Sequence, residues 1–562
     1  MMRHTLFLLF ATALALAARP AAASWPSQGA VVCTATGAQD TPVLYPDGLG
    51  GAFVAWSDSR AGASSSGIFV QHLGADGTAL WTSNGKALTA APQGQLTPQL
   101  ASDDSGGVVV VWEDRRTDAG DIYAQRVDAN GNLRWTAGGV PIATAGNEQS
   151  SPVVVADPSG GATVVWEDTR SSASCANGYR DIYAQRVNAG GVTQWTANGI
   201  AVCTMSDDQD GLRAVADGSG GATLGWSDKR LEVPDVYAQN LTTAGTKNWG
   251  GSDALIVRAP DAQDSLDIAA EPGAGAYFVW LDDRTLVPAV YAQHVDASGL
   301  AGWASGGIQV FGSGNAGHPP RAILGEFGVI VAARIGGQVF AQQLDGDGNR
   351  MWTSLGVSLS RPGGMQQSVG LVSDDAFGAI VGWTETATGG NDVYAQRVDL
   401  SGNRLWTLNG VAICTATGSQ DEMQMVADGS GGALLVWRDY RSGESDIYAQ
   451  RVSADGTVGT LATAAPAPTP QSFGLRAIYP NPSRRESRLE FALPADREVE
   501  MVVFDALGRS VKHVFAGRMT AGVHDLAWDG RDDQGRPVAS GAYLVRLTAG
   551  SEHQTAALRL LR

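Results

Sequence analysis

Cysteine is scarce, with four residues in a chain of 562. Charge is low as well, at 17% of residues, and the seven His are scattered without metal-ligand spacing. So few Cys exclude a disulfide-stapled scaffold; a chain this long must be held by packed cores. The apolar run Leu6 to Ala18 is too short to span a bilayer, and no later segment is long enough, so no membrane span is expected. No segment carries a 3.6-residue hydrophobic period, which excludes a helical repeat. A nucleophile elbow, a P-loop and a dinucleotide fingerprint are all missing, so no cofactor is implied and no catalytic residue is assigned. Positive charge is in deficit. Setting aside the tail from Phe473, together with Arg3 and Arg19, leaves 24 basic against 46 acidic residues, a net of −22. That surface argues against nucleic acid or anionic lipid as a partner.

What the chain has in quantity is glycine, 72 residues, and tryptophan, 16 residues. Gly161-Ala-Thr-Val-Val-Trp-Glu-Asp-Thr-Arg170, followed by Asp181-Ile-Tyr-Ala-Gln-Arg-Val187, is one copy of a unit that fills most of the sequence. Its Trp recurs at Trp56, Trp112, Trp166, Trp226, Trp280, Trp383 and Trp437, with Ala332 where a further copy should carry one. The period is about 54 residues, which indicates a propeller or a solenoid. Within residues 149–204, four strand-like runs are separated by Gly-rich turns: Pro152–Ala156, Ala162–Trp166, Asp181–Val187 and a run through Trp195 to Cys203. Short β-branched and aromatic runs punctuated this way read as antiparallel sheet, and four per repeat is the pattern of a propeller blade.

The ends of the repeat region predict ring closure. The last copy stops after Asp455-Gly-Thr-Val-Gly-Thr460, where the Trp of its fourth strand should come. Trp25-Pro-Ser-Gln-Gly-Ala-Val-Val-Cys-Thr34 matches Trp406-Thr-Leu-Asn-Gly-Val-Ala-Ile-Cys-Thr415 and supplies the missing piece. Pairing both open edges is what a ring needs and an open solenoid does not. The expected fold is all-β: an eight-bladed β-propeller over residues 24–460, closed by the N-terminal strand. Residues 461–472 read as a Pro-rich linker, and residues 473–562 as a small C-terminal immunoglobulin-like β-sandwich. Residues 1–23 read as a signal peptide: Arg3 and His4, the apolar run, then Ala21-Ala22-Ala23. A secreted or surface-displayed protein is expected.

Three Cys (Cys33, Cys203 and Cys414) share one place in their repeats, as small buried hydrophobes would. Cys175 lies in an insertion, and its pairing with Cys203 is left open by the sequence.

Repetition itself sorts the polar residues. Gln71, Gln125, Gln185, Gln239, Gln293, Gln342, Gln396 and Gln450 recur in every copy, as a structural amide would. Trp-x-Asp-x-Arg is complete in six copies and reads either as a hairpin ion pair or as a ligand-facing ring of charge. The loop entering the first strand brings Gln39-Asp40, Gln95, Gln149, Gln209-Asp210, Gln263-Asp264, Gln366 and Gln420-Asp421 to one channel mouth, with His318 as the exception. Asp40, Asp210, Asp264, Asp421 and His318 are therefore candidate ligand-binding residues, with Tyr179 from the insertion Ser171–Arg180. The alternative is solvated loop caps. A field of carboxylates suits a hydroxyl-rich ligand or a cation, so Ca2+ is a candidate. Asp345-Gly-Asp-Gly-Asn349 imitates a calcium loop, but Arg350 stands where Gly is required, and the segment reads as a hairpin turn.

The tail carries Tyr479-Pro-Asn-Pro-Ser483, Val503-Phe-Asp-Ala-Leu-Gly-Arg509 and Trp528-Asp-Gly-Arg-Asp-Asp-Gln-Gly-Arg-Pro-Val-Ala-Ser-Gly-Ala-Tyr543. Together these resemble the FlgD-type immunoglobulin-like domain of the flagellar hook-capping protein, and also the C-terminal sorting domains of type IX secretion cargo. The resemblance implies an exported bacterial protein whose tail meets secretion or cell-envelope machinery. The repeats resemble secreted bacterial propellers in general. The expected function is a non-catalytic binding or adhesion protein for an extracellular glycan or protein. The alternative is an extracellular carbohydrate-active hydrolase or lyase using carboxylates at the channel mouth. A blade-specific acidic cluster containing a carboxyl of raised pKa would favour the enzyme.

Overall fold

The computed structural model describes residues 25–562 except 63–64, 90–92, 118, 172–178, 252, 272, 274, 286, 313–314, 388, 460–472, 480–482, 484–486, 496, 506–507, 520–521, 551 and 561–562. The signal-like segment, the Pro-rich linker and Cys175 lie outside the described residues. The chain divides into two compact units, Met1–Leu461 and Ala462–Arg562.

Among the described residues the first unit holds eight four-stranded antiparallel sheets. Seven are built from consecutive strands. In the third, Gln149–Asp157, Gly161–Asp168, Asp181–Val187 and Ile200–Cys203 follow one another. The fourth strand is shorter than its sequence suggests, because Trp195 lies in the loop before it. The eighth sheet is assembled from both ends of the unit. Gln420–Ala427, Ala433–Asp439 and Asp446–Val452 are completed by Ala30–Cys33, which pairs antiparallel with Asp446–Val452. First strands of successive sheets pack on one another, and the first strand of the eighth packs on that of the first.

Two rings of tryptophan hold the sheets. Trp56, Trp112, Trp166, Trp226, Trp280, Trp383 and Trp437 are fully buried mid-strand residues between neighbouring sheets. The other ring reaches between sheets. Trp25, Trp81, Trp135, Trp195, Trp249, Trp303, Trp352 and Trp406 each donate Nε1 to a turn carbonyl of the following sheet, at 2.8–3.3 Å. Trp25, which belongs to the eighth sheet, donates to Ala75 of the first, so this relay returns to its origin. An indole offers a large apolar body and one donor, which suits it to a seam that is part core and part polar turn.

The sixth sheet departs from the pattern. Ala332 and Arg334 stand where other sheets carry Trp and Asp, and its first strand is only Arg321–Leu324. The vacated space is filled from the preceding repeat by Phe311, which is fully buried. A Cβ added at Gly356 would lie 2.8 Å from the Phe311 ring, as one at Gly307 would lie 2.5 Å from Trp280. Phe311 also meets Phe340 edge-on at 6.4 Å, in the place of the Trp–Tyr stacks elsewhere.

The second unit pairs a three-stranded and a four-stranded sheet around Leu489, Phe491, Met501, Trp528, Val545 and Leu547. Its strands are Gly474–Tyr479, Ser487–Leu493, Arg497–Asp505, Ser510–Met519, Gly522–Trp528, Gly541–Ala549 and Glu552–Leu560.

Candidate functional site

The residues that recur are consumed by the framework. In each Trp-x-Asp-x-Arg motif the Trp indole donates to the Asp carboxylate at 2.7–3.1 Å, as at Trp56–Asp58 and Trp166–Asp168. The Arg grips the same carboxylate with two nitrogens and lies 3.8–4.2 Å over the aromatic ring of the next strand. These Asp side chains are buried, so the motif is an internal clamp and not a ligand-facing ring. In the seventh sheet Glu385 replaces the Asp, and Arg361 comes from another loop to pair with it. The mid-strand Gln is equally occupied. Gln185 donates to Thr196 and accepts from the Arg186 and Trp195 amides.

The mouth glutamines are corrected by the structure. Gln39, Gln95, Gln149, Gln209, Gln263, Gln366 and Gln420 are fully buried. Their amides fold back onto carbonyls of their own loop, as Gln39 does onto Gly37 at 2.6 Å and Gln263 onto Asp261 at 2.7 Å. In six of the seven, Gln366 excepted, a carbonyl so satisfied belongs to a residue of positive φ, such as Gly37 or Asp261, where the loop reverses. A reversal inside packed sheets leaves carbonyls that need a donor, and the amide supplies one.

The adjoining carboxylates remain at the surface, and the hairpins between second and third strands share their end of the sheets. Gln39 N donates to Ser445 O, Gln95 N to Ser66 O and Gln209 N to Arg180 O. The four Asp do not form one site. Asp40 and Asp421 share Arg438, at 3.1 and 2.8 Å, and Glu422 joins them at 2.9 Å. Asp210 pairs with Lys229 at 2.8 Å. Asp264 lies near Asp283, whose carboxyl is raised by burial first and then by Asp264. His318 is half-buried beside Arg334, and burial followed by that guanidinium lowers its pKa. Tyr179 is half-buried next to Arg180, whose Nε lies 3.5 Å from Glu167. Among the described residues, no three His, Cys, Asp or Glu converge to hold a metal ion. The Asp345–Asn349 turn is closed by the Asp345 carboxylate accepting from the Asp347 and Asn349 amides.

Two features escape the sequence reading. Glu167 is buried, accepts from the Gly211 amide at 3.0 Å, and has its carboxyl raised by burial, against Arg180 and with Asp210. Its surroundings of Arg180, Asp208, Asp210 and Lys229 are peculiar to the third and fourth sheets. Arg213, Asp267 and Arg321 lie on first strands of the fourth, fifth and sixth sheets. Burial lowers the Arg213 pKa, with Asp267 opposing and Arg321 adding to the shift. Arg213 and Asp267 stand where the first and third sheets carry Val43 and Val153, a difference visible once register is known.

Residues 481–553 match the FlgD Ig-like domain family. The chain is 36% identical over 63 residues to the basal-body rod modification protein FlgD of Salmonella typhimurium, covering 11% of this chain and 27% of that protein. The chain thus spans about a quarter of the length of the curated relatives it matches. For the whole fold, a PL25 ulvan lyase shares 10% identity at a TM-score of 0.38, covering 54% of this chain and 79% of that one. The polysaccharide lyase Uly1 shares 9% at 0.37, covering 67% and 98%. PorZ, a surface component of the type IX secretion system of Porphyromonas gingivalis, shares 12% at 0.24, covering 92% and 79%. At such scores no activity is carried over from these structures.

Proposed function

We propose that the first unit is an eight-bladed β-propeller closed by its N-terminal strand, acting as a non-catalytic scaffold that binds an extracellular glycan or protein. The protein is secreted or surface-displayed, and the C-terminal Ig-like unit serves sorting or attachment at the cell envelope, in the manner of type IX cargo. One observation carries this reading. The polar residues that recur in the repeats are spent on internal contacts, while the charged residues left at the mouth differ from sheet to sheet. They gather around Arg438 and around Lys229, and loops on a rigid scaffold are where recognition usually resides. The test is a glycan and protein array probed with the full chain, repeated with Asp40, Asp210, Asp264 and Asp421 all changed to Asn. Binding should weaken while stability changes little, because exposed ion pairs contribute only about 0–1 kcal/mol each. An unchanged affinity would place the ligand elsewhere.

A second reading, a carbohydrate-active hydrolase or lyase, is favoured by Glu167: a buried carboxyl of raised pKa beside Asp210 in a setting peculiar to the third and fourth sheets. If a polysaccharide screen finds turnover, Glu167→Gln should remove it and leave binding intact. Turnover surviving in that variant would refute a catalytic Glu167.

A further inference from the structure

At the end of the sheets opposite the mouth, first and second strands are joined by a five-residue turn. Its opening Asp carboxylate accepts from amides within the turn. Asp217 does so with the Ser219 and Gly221 amides, and Asp374 with the Ala376 and Gly378 amides. The fourth residue of this turn adopts positive φ. It is Gly50, Gly106, Gly160, Gly220 and Gly431 in five sheets.

 The five angles run from 80° to 95°. In the seventh sheet the residue is Phe377, at φ +66°. The turn is unchanged, but the residue now carries a Cβ in a conformation that L-residues other than Asn and Asp avoid. Packing inside the unit does little to offset that strain, because Phe377 is 59% exposed.

The neighbouring turn of the sixth sheet is also altered. Leu324-Gly325-Glu326-Phe327 replaces the Asp-led turn, and Leu324 and Phe327 are 41% and 49% exposed. Leu324, Glu326, Ser373, Asp375 and Phe377 line one open cleft of about 420 Å³. Two adjacent sheets thus present apolar surface where the others present small polar turns, and carboxylates and a hydroxyl flank it. Asp375 is held in place by the Gly431 amide, which donates to its Oδ2 at 3.1 Å.

We infer that this cleft binds a neutral oligosaccharide, with a sugar ring stacked on Phe377. The C–H face of a pyranose meets an aromatic face, while its hydroxyls donate to Glu326 and Asp375. Two carboxylates on the rim disfavour an acidic glycan by like-charge repulsion. Strain held at an exposed aromatic is the mark of a residue kept for contact and not for folding. The site lies at the other end of the strands from the mouth and stands independently of the function proposed for that face.

The test uses the full chain, with cellohexaose and mannohexaose as neutral probes and an oligogalacturonate as the acidic control, followed by titration calorimetry. At least one neutral hexasaccharide should bind in preference to the acidic control. Phe377→Gly should weaken that binding roughly tenfold, yet leave the melting temperature equal or higher, since it restores the residue the turn prefers. Phe377→Leu keeps the strain without the aromatic face and should lose binding with no gain in melting temperature. The four Asp→Asn changes at the mouth should leave this affinity unaltered. Absence of neutral-sugar binding at about 5 mM ligand, full affinity in Phe377→Gly, or loss of affinity in the mouth variant would each overturn the proposal.

Discussion

The Gln450 amide donates to the Pro26 carbonyl at 2.7 Å, across 424 residues of chain. In the other seven sheets the same amide reaches a carbonyl eleven residues on, as Gln71 reaches Thr82 and Gln396 reaches Thr407. A contact that is local everywhere else is here made between the two ends of the unit. A Cβ added at Gly459 would lie 2.9 Å from the Trp25 carbonyl oxygen, and Ala30–Cys33 follows as the fourth strand of that sheet.

Trp25→Ala should therefore destabilise the unit as much as Trp135→Ala does, by about 3–5 kcal/mol each. Both indoles are buried and bond the next sheet in the same way. Urea unfolding of the two variants would decide it. A Trp25 variant within a few tenths of a kcal/mol of the parent would mean that the terminal strand is an ornament.

Phe311 carries the core of the sixth sheet in place of the missing Trp. Phe311→Ala should cost about 3–5 kcal/mol, comparable with truncating Trp280, although Phe311 lies outside any strand. A loss near 1 kcal/mol would show that Gly356 and Phe340 close over the gap.

The Glu167 carboxyl is held above its ordinary value of 4.5, chiefly by burial, which disfavours the charged form. The folded state therefore binds this proton more tightly than the unfolded chain. Its contribution favours folding below the unfolded value and is lost as pH rises through the folded one. Glu167→Gln should melt higher than the parent at about pH 7.5, and the difference should vanish below about pH 4. Melting curves across that range would show it; a variant that is less stable at neutral pH would mean that the Arg180 pairing outweighs burial.

Burial pushes the Cys33 thiol up to about 12 and the Cys414 thiol to about 11, and raises Cys203 as well. Each Cys lies near the Asp–Arg clamp of the following sheet; Cys203, for example, is a free thiol 3.2 Å from Arg230 Nη2. All three should resist a thiol reagent at about pH 8 until the protein is denatured. Alkylation followed by peptide mapping reads this directly, and labelling of native Cys203 would contradict it.

The repeat architecture was open to reading because it rests on local signals: a fixed period, Gly-rich turns, and a split copy whose halves, Trp25–Thr34 and Asp446–Thr460, complement each other. The recurring Gln was recognisable as structural from repetition, whereas the Asp–Arg motif stayed open between a hairpin ion pair and a ligand-facing ring until the burial of its Asp was known. Other features depend on contacts that sequence spacing does not encode. The mouth glutamines looked solvent-facing because nothing in a sequence shows a side chain folding back onto its own loop. Phe311 fills the place of a Trp some twenty residues further along, through packing between sheets. Phe377 is an ordinary residue until its φ is known. Glu167 resembles Glu113 in the sequence and differs in the company it keeps, Arg180 and Asp210.

The splice at Trp25 also sets an order of events. Ribosomes add on the order of 5–20 residues per second, so the segment made first waits on the order of 20–80 s for the strand it pairs with, 424 residues later. For that interval Ala30–Cys33 is an apolar strand with no partner of its own. A second nascent chain offers the same complementary edge. Crowded synthesis should therefore produce exchanged dimers, in which each copy completes the other's eighth sheet, and dilution or slower initiation should suppress them.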